Sequence, residues 1–181
     1  MSQSIGSSKD RRSSAVRQIT LVDKLKAITG RWRGAYSYDP SAHMVNKESV
    51  PFTLNLSQGW FGRFSGTVID HGPRGMPGTG AIVGRFSYPR IEFTKRMPIC
   101  YVGTADGRSM SFRESLIEQG HTCDRDVPHP PIFYCGEFIG PTRAQGTWII
   151  RAGVVSLPGG LSVQLAEGTG VWTIELSTSA D

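Results

Sequence analysis

The nine residues FSGTVIDHG, positions 64–72, decide how this chain is read. Phe64, Gly66 and Val68 alternate with Ser65 and Thr67, the period of two expected of a strand with one dry face and one wet face. The next position in the apolar phase is Asp70, followed at once by the turn pair His71-Gly72. A carboxylate standing where a core residue belongs needs either a partner or water.

The same period governs most of the chain. RWRGAYSYD places Trp32, Gly34, Tyr36 and Tyr38 on one face, and PFTLNLSQ does so with Phe52, Leu54 and Leu56. GAIVGRFSY offers Ile82, Gly84 and Phe86, and RIEFTKRM offers Ile91, Phe93, Lys95 and Met97. IFYCGEF carries Ile132, Tyr134 and Phe138, GTWIIR carries Trp148 and Ile150, and GVWTIEL carries Trp172, Ile174 and Leu176. With the opening stretch these make eight segments, separated by turn chemistry at Gln58-Gly59, in HGPRGMPGTG and around Pro89. Short strands joined mainly to their sequence neighbours, each dry on one face, either close on themselves or stack as two sheets. Closure removes both edges, so the expected fold is all-β: an eight-stranded antiparallel up-and-down barrel rather than a sandwich. Gly34, Gly66, Gly84 and Gly136 inside the strands suit the tight curvature of such a barrel.

Two parts depart from the rhythm. In residues 14–29, Val16, Ile19, Val22, Leu25 and Ile28 recur at every third position, which predicts a helix stopped at Gly30. Residues 1–13 ahead of it are rich in Ser and charge and read as a disordered basic tail. Residues 98–130 interrupt the meander within the single domain expected over 30–177. Inside this insertion SFRESLIEQG reads as a short helix with Ser111 as N-cap, Glu114 three residues on and Gly120 at its end. An insertion of this length suggests a lid over the barrel mouth.

Charge and cysteine content narrow the function classes. The formal net charge is +5, but residues 1–33 hold eight Lys or Arg against two Asp, so the body is close to neutral. The basic N-terminal segment is therefore the place to look for a protein partner or an acidic surface. The Trp and Tyr residues fall on the interior phase, which argues against an exposed stacking platform for nucleic acid. No apolar leader core and no run of membrane-spanning length is evident, and three cysteines lack a disulfide-framework spacing. A cytoplasmic protein with reduced thiols is expected. Cys100, His121, Cys123, His129 and Cys135 are potential metal donors without an established spacing, so no metal is assigned, and no cofactor motif is present. His71 beside Asp70 reads as a turn residue, because neighbours along a strand point to opposite faces.

If Trp32, Phe52, Phe64, Phe93 and Trp148 point inward, the same phase carries Asp70 and Lys95 inward, with Tyr36, Tyr38, Tyr88 and Tyr134. Asp70 and Lys95 are then expected to pair, directly or through a ligand, with tyrosine hydroxyls completing their hydrogen bonds. Three readings follow. The pair is a strand-end ion pair, solvated or half-buried, at the rim; or it orients a ligand in a mostly apolar pocket; or it performs acid–base chemistry with Tyr134 or Tyr36 as proton donor, as in a barrel isomerase or cyclase. The function favoured is lumenal binding of a small, largely apolar molecule. Tyr36, Asp70, Lys95 and Tyr134 would hold its polar end, and Trp32, Phe52, Phe64, Phe93, Trp148 and Trp172 would form walls or floor. The alternative is a non-enzymatic assembly module whose barrel is filled by its own side chains.

The order of helix, GRW and eight-strand meander resembles the calycin superfamily, the lipocalins and their relatives. There a Gly-x-Trp opens the first strand behind a short helix that closes the barrel base, and Gly30 and Trp32 match that motif. WRGAYSYD, PFTLNL, RFSGTVID, IEFTK, YCGEF and GTWII together resemble a group of small bacterial lipocalin-like barrels, over residues 30–97 and 131–176. The resemblance implies a fold, not an activity. It does not extend to the secretion and disulfide typical of lipocalins.

Overall fold

The computed structural model describes residues 28–39, 49–104, 109–156 and 162–177. The expected tail and N-terminal helix lie outside these residues, apart from Ile28 and Thr29 at the helix's end. The segments read from the period of two become β1 (Gly30–Tyr38), β2 (Val50–Gln58), β3 (Arg63–Asp70), β4 (Thr79–Ser87), β5 (Arg90–Arg96), β8 (Ile132–Gly140), β9 (Arg143–Ile150) and β12 (Gly168–Leu176). Two short hairpins were not foreseen: β6 (Tyr101–Gly103) with β7 (Ser109–Ser111), and β10 (Gly153–Ser156) with β11 (Ser162–Leu165). Each has too few residues to display a period.

The eight long strands close in the order β1-β12-β9-β8-β5-β4-β3-β2, with β2 returning to β1, and every pairing is antiparallel. An up-and-down course puts the β2–β3, β4–β5 and β8–β9 turns at one end, here called the base. The 71–78 loop and the described parts of the 98–130 insertion lie at the opposite end. Among the described residues no helix is long and apolar enough to cross a membrane.

Alternation holds along the barrel strands except at Thr53 of β2, which is buried beside His71. In β3, Phe64, Val68 and Asp70 are buried, while Ser65, Thr67 and Ile69 face out. The inward side chains form one continuous core running from Ile28, Trp32 and Phe138 at the base to Val50, Met76 and Met97 at the other end. Midway, the ring of Phe93 stacks on Tyr134, with centroids 4.5 Å apart, and both meet the edge of Trp172. Every buried indole N–H is satisfied: Trp32 donates to the Ile28 carbonyl, Trp148 to Ser37 and Trp172 to Thr147. Gly84 and Gly136 make room for these rings. A side chain at Gly84 would strike Phe64 and Phe93, and one at Gly136 would strike Trp172 and the Gln145 carbonyl.

The insertion has its own small core. Phe112 and Leu116 of α1 (Phe112–Glu118) pack with Cys100 and Cys123. The helix starts as its sequence predicts, with a reciprocal capping box in which Ser111 Oγ accepts from the Glu114 N–H and the Glu114 carboxylate accepts from the Ser111 N–H. Gly120 takes φ +84 just past the helix end. The insertion is tied to the 71–78 loop by Ser109, whose N–H donates to Pro73 and whose hydroxyl donates to Arg74.

Candidate functional site: a buried charge pair

The last inward position of β3 is Asp70, and the third inward position of β5 is Lys95. Register sets Asp70 opposite Phe52 of β2 and Lys95 opposite Ile82 of β4, so both sit in the half of the lumen away from the base. Lys95 Nζ lies 2.6 Å from both carboxylate oxygens of Asp70. The Tyr36 hydroxyl donates to Asp70 Oδ2 at 3.2 Å, and the Met76 N–H reaches the same oxygen at 3.3 Å. Lys95 Nζ also stands 5.2 Å from the centre of the Tyr36 ring.

The side chains of Lys95 and Asp70 are 2 % and 0 % exposed. The reading of a solvated or half-buried pair at the rim is thereby corrected. Both residues are near strand ends, but Met76 folds down from the 71–78 loop and Met97 follows Lys95 in the same phase, and both methionines are buried in the core. Burial pulls the Lys95 pKa below its ordinary value, and the Asp70 charge partly restores it. Desolvation, then the Asp70 charge, raises the phenols of Tyr36 and Tyr38, and Tyr134 is raised well above its usual value in the same way. These three hydroxyls stay neutral across the physiological range. Around them Tyr36, Tyr38, Phe52 and Trp148 meet at ring distances of 4.9–6.1 Å.

All ten residues singled out in the sequence belong to this one interior. Tyr36, Asp70, Lys95 and Tyr134 lie toward or within its upper half, and Trp32, Phe52, Phe64, Phe93, Trp148 and Trp172 are buried with them. Tyr88, expected to share the inward phase, is 55 % exposed, because the strand ends at Ser87 and the Tyr88-Pro89 turn carries the ring outside. Cys135 faces outward. Burial pushes the Cys100 thiol up to about 11, which leaves it protonated and unreactive. Among the described residues no three His, Cys, Asp or Glu side chains converge.

The inward side chains belong to one buried cluster, with ring contacts across the lumen among Phe93, Tyr134 and Trp172. Among the concavities that the described residues form, two lie outside the barrel wall. One, of about 440 Å³, opens beside the pair's end between the insertion and the β10–β11 hairpin. Its walls include Pro128, Pro130, Val154 and Leu165, with Met97 and His129 also lining it. The His129 N–H bonds to the Met97 carbonyl, so this lining continues the β5–β8 ladder directly above Lys95. Met76, Met97 and His129 were not among the site residues foreseen. The one available signal for Met76 was that it is the sole large apolar residue in HGPRGMPGTG.

His129 supplies a pH test of this end. Burial lowers its pKa, the Pro130 carbonyl bonded to Nδ1 opposes that, Lys95 lowers it further and Asp70 raises it. The unfolded chain therefore takes up the proton first as pH falls below about 6.5, and His129's contribution to stability is present above that pH and lost below it. Urea denaturation at pH 7 and pH 5 should show a larger acid loss for the native chain than for His129→Gln, by up to about 1 kcal/mol. Equal losses would mean that His129 is solvated. A comparison of the chain with known protein families finds no match, and neither does a comparison with curated proteins.

Proposed function

We propose that the protein binds a small, largely apolar molecule at the end of the barrel that holds the charge pair, with the outer groove as vestibule and the upper lumen as the site. The observation that carries this reading is the placement of Asp70 and Lys95. A pair taken wholly out of water costs more to bury than apolar residues of the same volume, so stability alone gives no reason to keep it in an aromatic core. It lies under the Gly- and Pro-rich 71–78 loop and the insertion acting as lid, and not at the base. Its stoppers are Met76 and Met97, unbranched and adaptable side chains that give way to a guest more readily than branched ones. Displacing them would set the guest's hydrogen-bonding end against Lys95, Asp70 and the Tyr36 and Tyr134 hydroxyls, and its body among Phe52, Trp148 and the groove walls.

The ring contacts among Phe93, Tyr134 and Trp172 across the lumen favour a second reading, an assembly module whose barrel is solid core. One set of variants separates the two. With 1-anilinonaphthalene-8-sulfonate as probe, Met97→Ala should raise affinity about tenfold by clearing the entry, at a stability cost of roughly 2–4 kcal/mol. Asp70→Asn with Lys95→Met should then weaken binding to the opened barrel. Native mass spectrometry of the protein from its own host should find a co-purifying small molecule. No probe binding to either the native or the Met97→Ala barrel, together with no co-purifying mass, would assign the protein to the module reading.

A further inference from the structure

The base of the barrel presents a feature that the ligand site does not use. The β2–β3 turn is a single 3-10 turn, Trp60–Gly62, and its two aromatic side chains point into solvent: Trp60 is 84 % exposed and Phe61 is 95 % exposed. Phe61 is the one described non-glycine residue with a positive φ, +57, a conformation disfavoured for a side-chain-bearing residue. The turn is nonetheless tightly held, with the Gly59 N–H bonded to Arg63 and the Arg63 N–H bonded to Trp60. Tyr88 in the β4–β5 turn and Ile139 near the end of β8 add to it, 55 % and 50 % exposed.

Charge at this end is basic. Arg63 lies opposite Arg85, and Arg31 leaves the start of β1. The glutamates Glu92, Glu137 and Glu175 each face an arginine in the register: Arg85, Arg90 and Arg143.

We infer that the base is a docking surface for an anionic lipid bilayer, entered by Trp60 and Phe61. A stable protein interface is a broad patch with an apolar core and a polar rim. The feature here is two adjacent exposed rings on a hydrogen-bonded turn, with Arg63 next in the chain and Arg31 at the start of the neighbouring β1, which suits a soft surface that needs no complementary shape. Tryptophan and phenylalanine settle at the headgroup–acyl boundary, and the arginines meet the anionic headgroups.

The test uses the full chain and vesicles of phosphatidylcholine with and without roughly 30 % phosphatidylserine. Trp32, Trp148 and Trp172 are buried, so acrylamide quenching of tryptophan fluorescence reads Trp60 almost alone. The protein should co-sediment with the anionic vesicles, and Trp60 should become shielded there. Both effects should fall at least tenfold without phosphatidylserine or in high salt, and co-sedimentation should fall as far in Trp60→Ser with Phe61→Ser, whose thermal midpoint should match that of the native chain. Failure to sediment, or sedimentation of the double variant equal to that of the native chain, overturns the inference. So does shielding of Trp60 that grows with protein concentration alone, which would assign the tip to a second copy.

Discussion

Lys95→Met should destabilise the protein by about 3–5 kcal/mol, because it leaves the Asp70 carboxylate uncompensated inside an aromatic core. In a domain of this size that corresponds to a thermal midpoint lower by roughly 10–15 °C. The double replacement, Lys95→Met with Asp70→Asn, should recover most of the loss, since no charge then remains to be solvated. The Tyr36 hydroxyl and the Met76 N–H keep an acceptor in that variant, the amide oxygen introduced at position 70. The difference between single and double variants, read by urea or thermal denaturation, measures the burial of the pair. If the single change costs under about 1 kcal/mol, water reaches Asp70 and the geometry of the site is not what drives the fold at that end.

Alkali should bring the other large effect. Tyr36, Tyr38 and Tyr134 are held protonated by burial first and by the Asp70 charge next. In the unfolded chain they lose their protons near pH 10, so their contribution is complete below that pH and disappears as pH climbs toward the folded values. Three such phenols remove about 4 kcal/mol of stability per pH unit above 10. Lys95, whose pKa is lowered on folding, pulls the other way only up to about 10.5, where the unfolded lysine also loses its proton. Against an ordinary stability of about 5–15 kcal/mol, cooperative unfolding should fall between roughly pH 11 and 13. Tyrosinate absorbance from the three buried rings should rise together with the loss of circular dichroism. Tyr134→Phe should remove about a third of the slope. Ionisation of these rings well before unfolding would show a lumen open to hydroxide.

How much of this was legible from residues alone follows from what alternation can encode. Each of the eight barrel strands was readable because a residue's parity along the strand fixes its face, and this held even for Asp70, whose polarity argued against its position. The Asp70–Lys95 pairing was readable for the same reason: two charges in one apolar phase have few ways to be neutralised. Parity says nothing about depth. Whether a strand-end pair meets water or protein depends on what folds over it, and Met76 reaches Asp70 from a loop with no period. Nor does parity say whether a barrel is hollow. That depends on how Phe93, Tyr134 and Trp172 interleave across three different strands. Tyr88 was misplaced because parity was continued one residue past the strand. The Trp60–Phe61 tip was missed because turns carry no phase at all.

The pairing of β1 with β12, Trp32 opposite Leu176 through Tyr38 opposite Gly170, joins the first barrel strand to the last. During synthesis, then, β1 must wait with one edge bare until Gly168–Leu176 has left the ribosome. Trp172, which completes the aromatic stack at mid-height, arrives on that same final strand. The nascent chain thus has neither its seam nor its keystone until all eight ribbons have been made, and holding that edge apart from its neighbours becomes a task for chaperones.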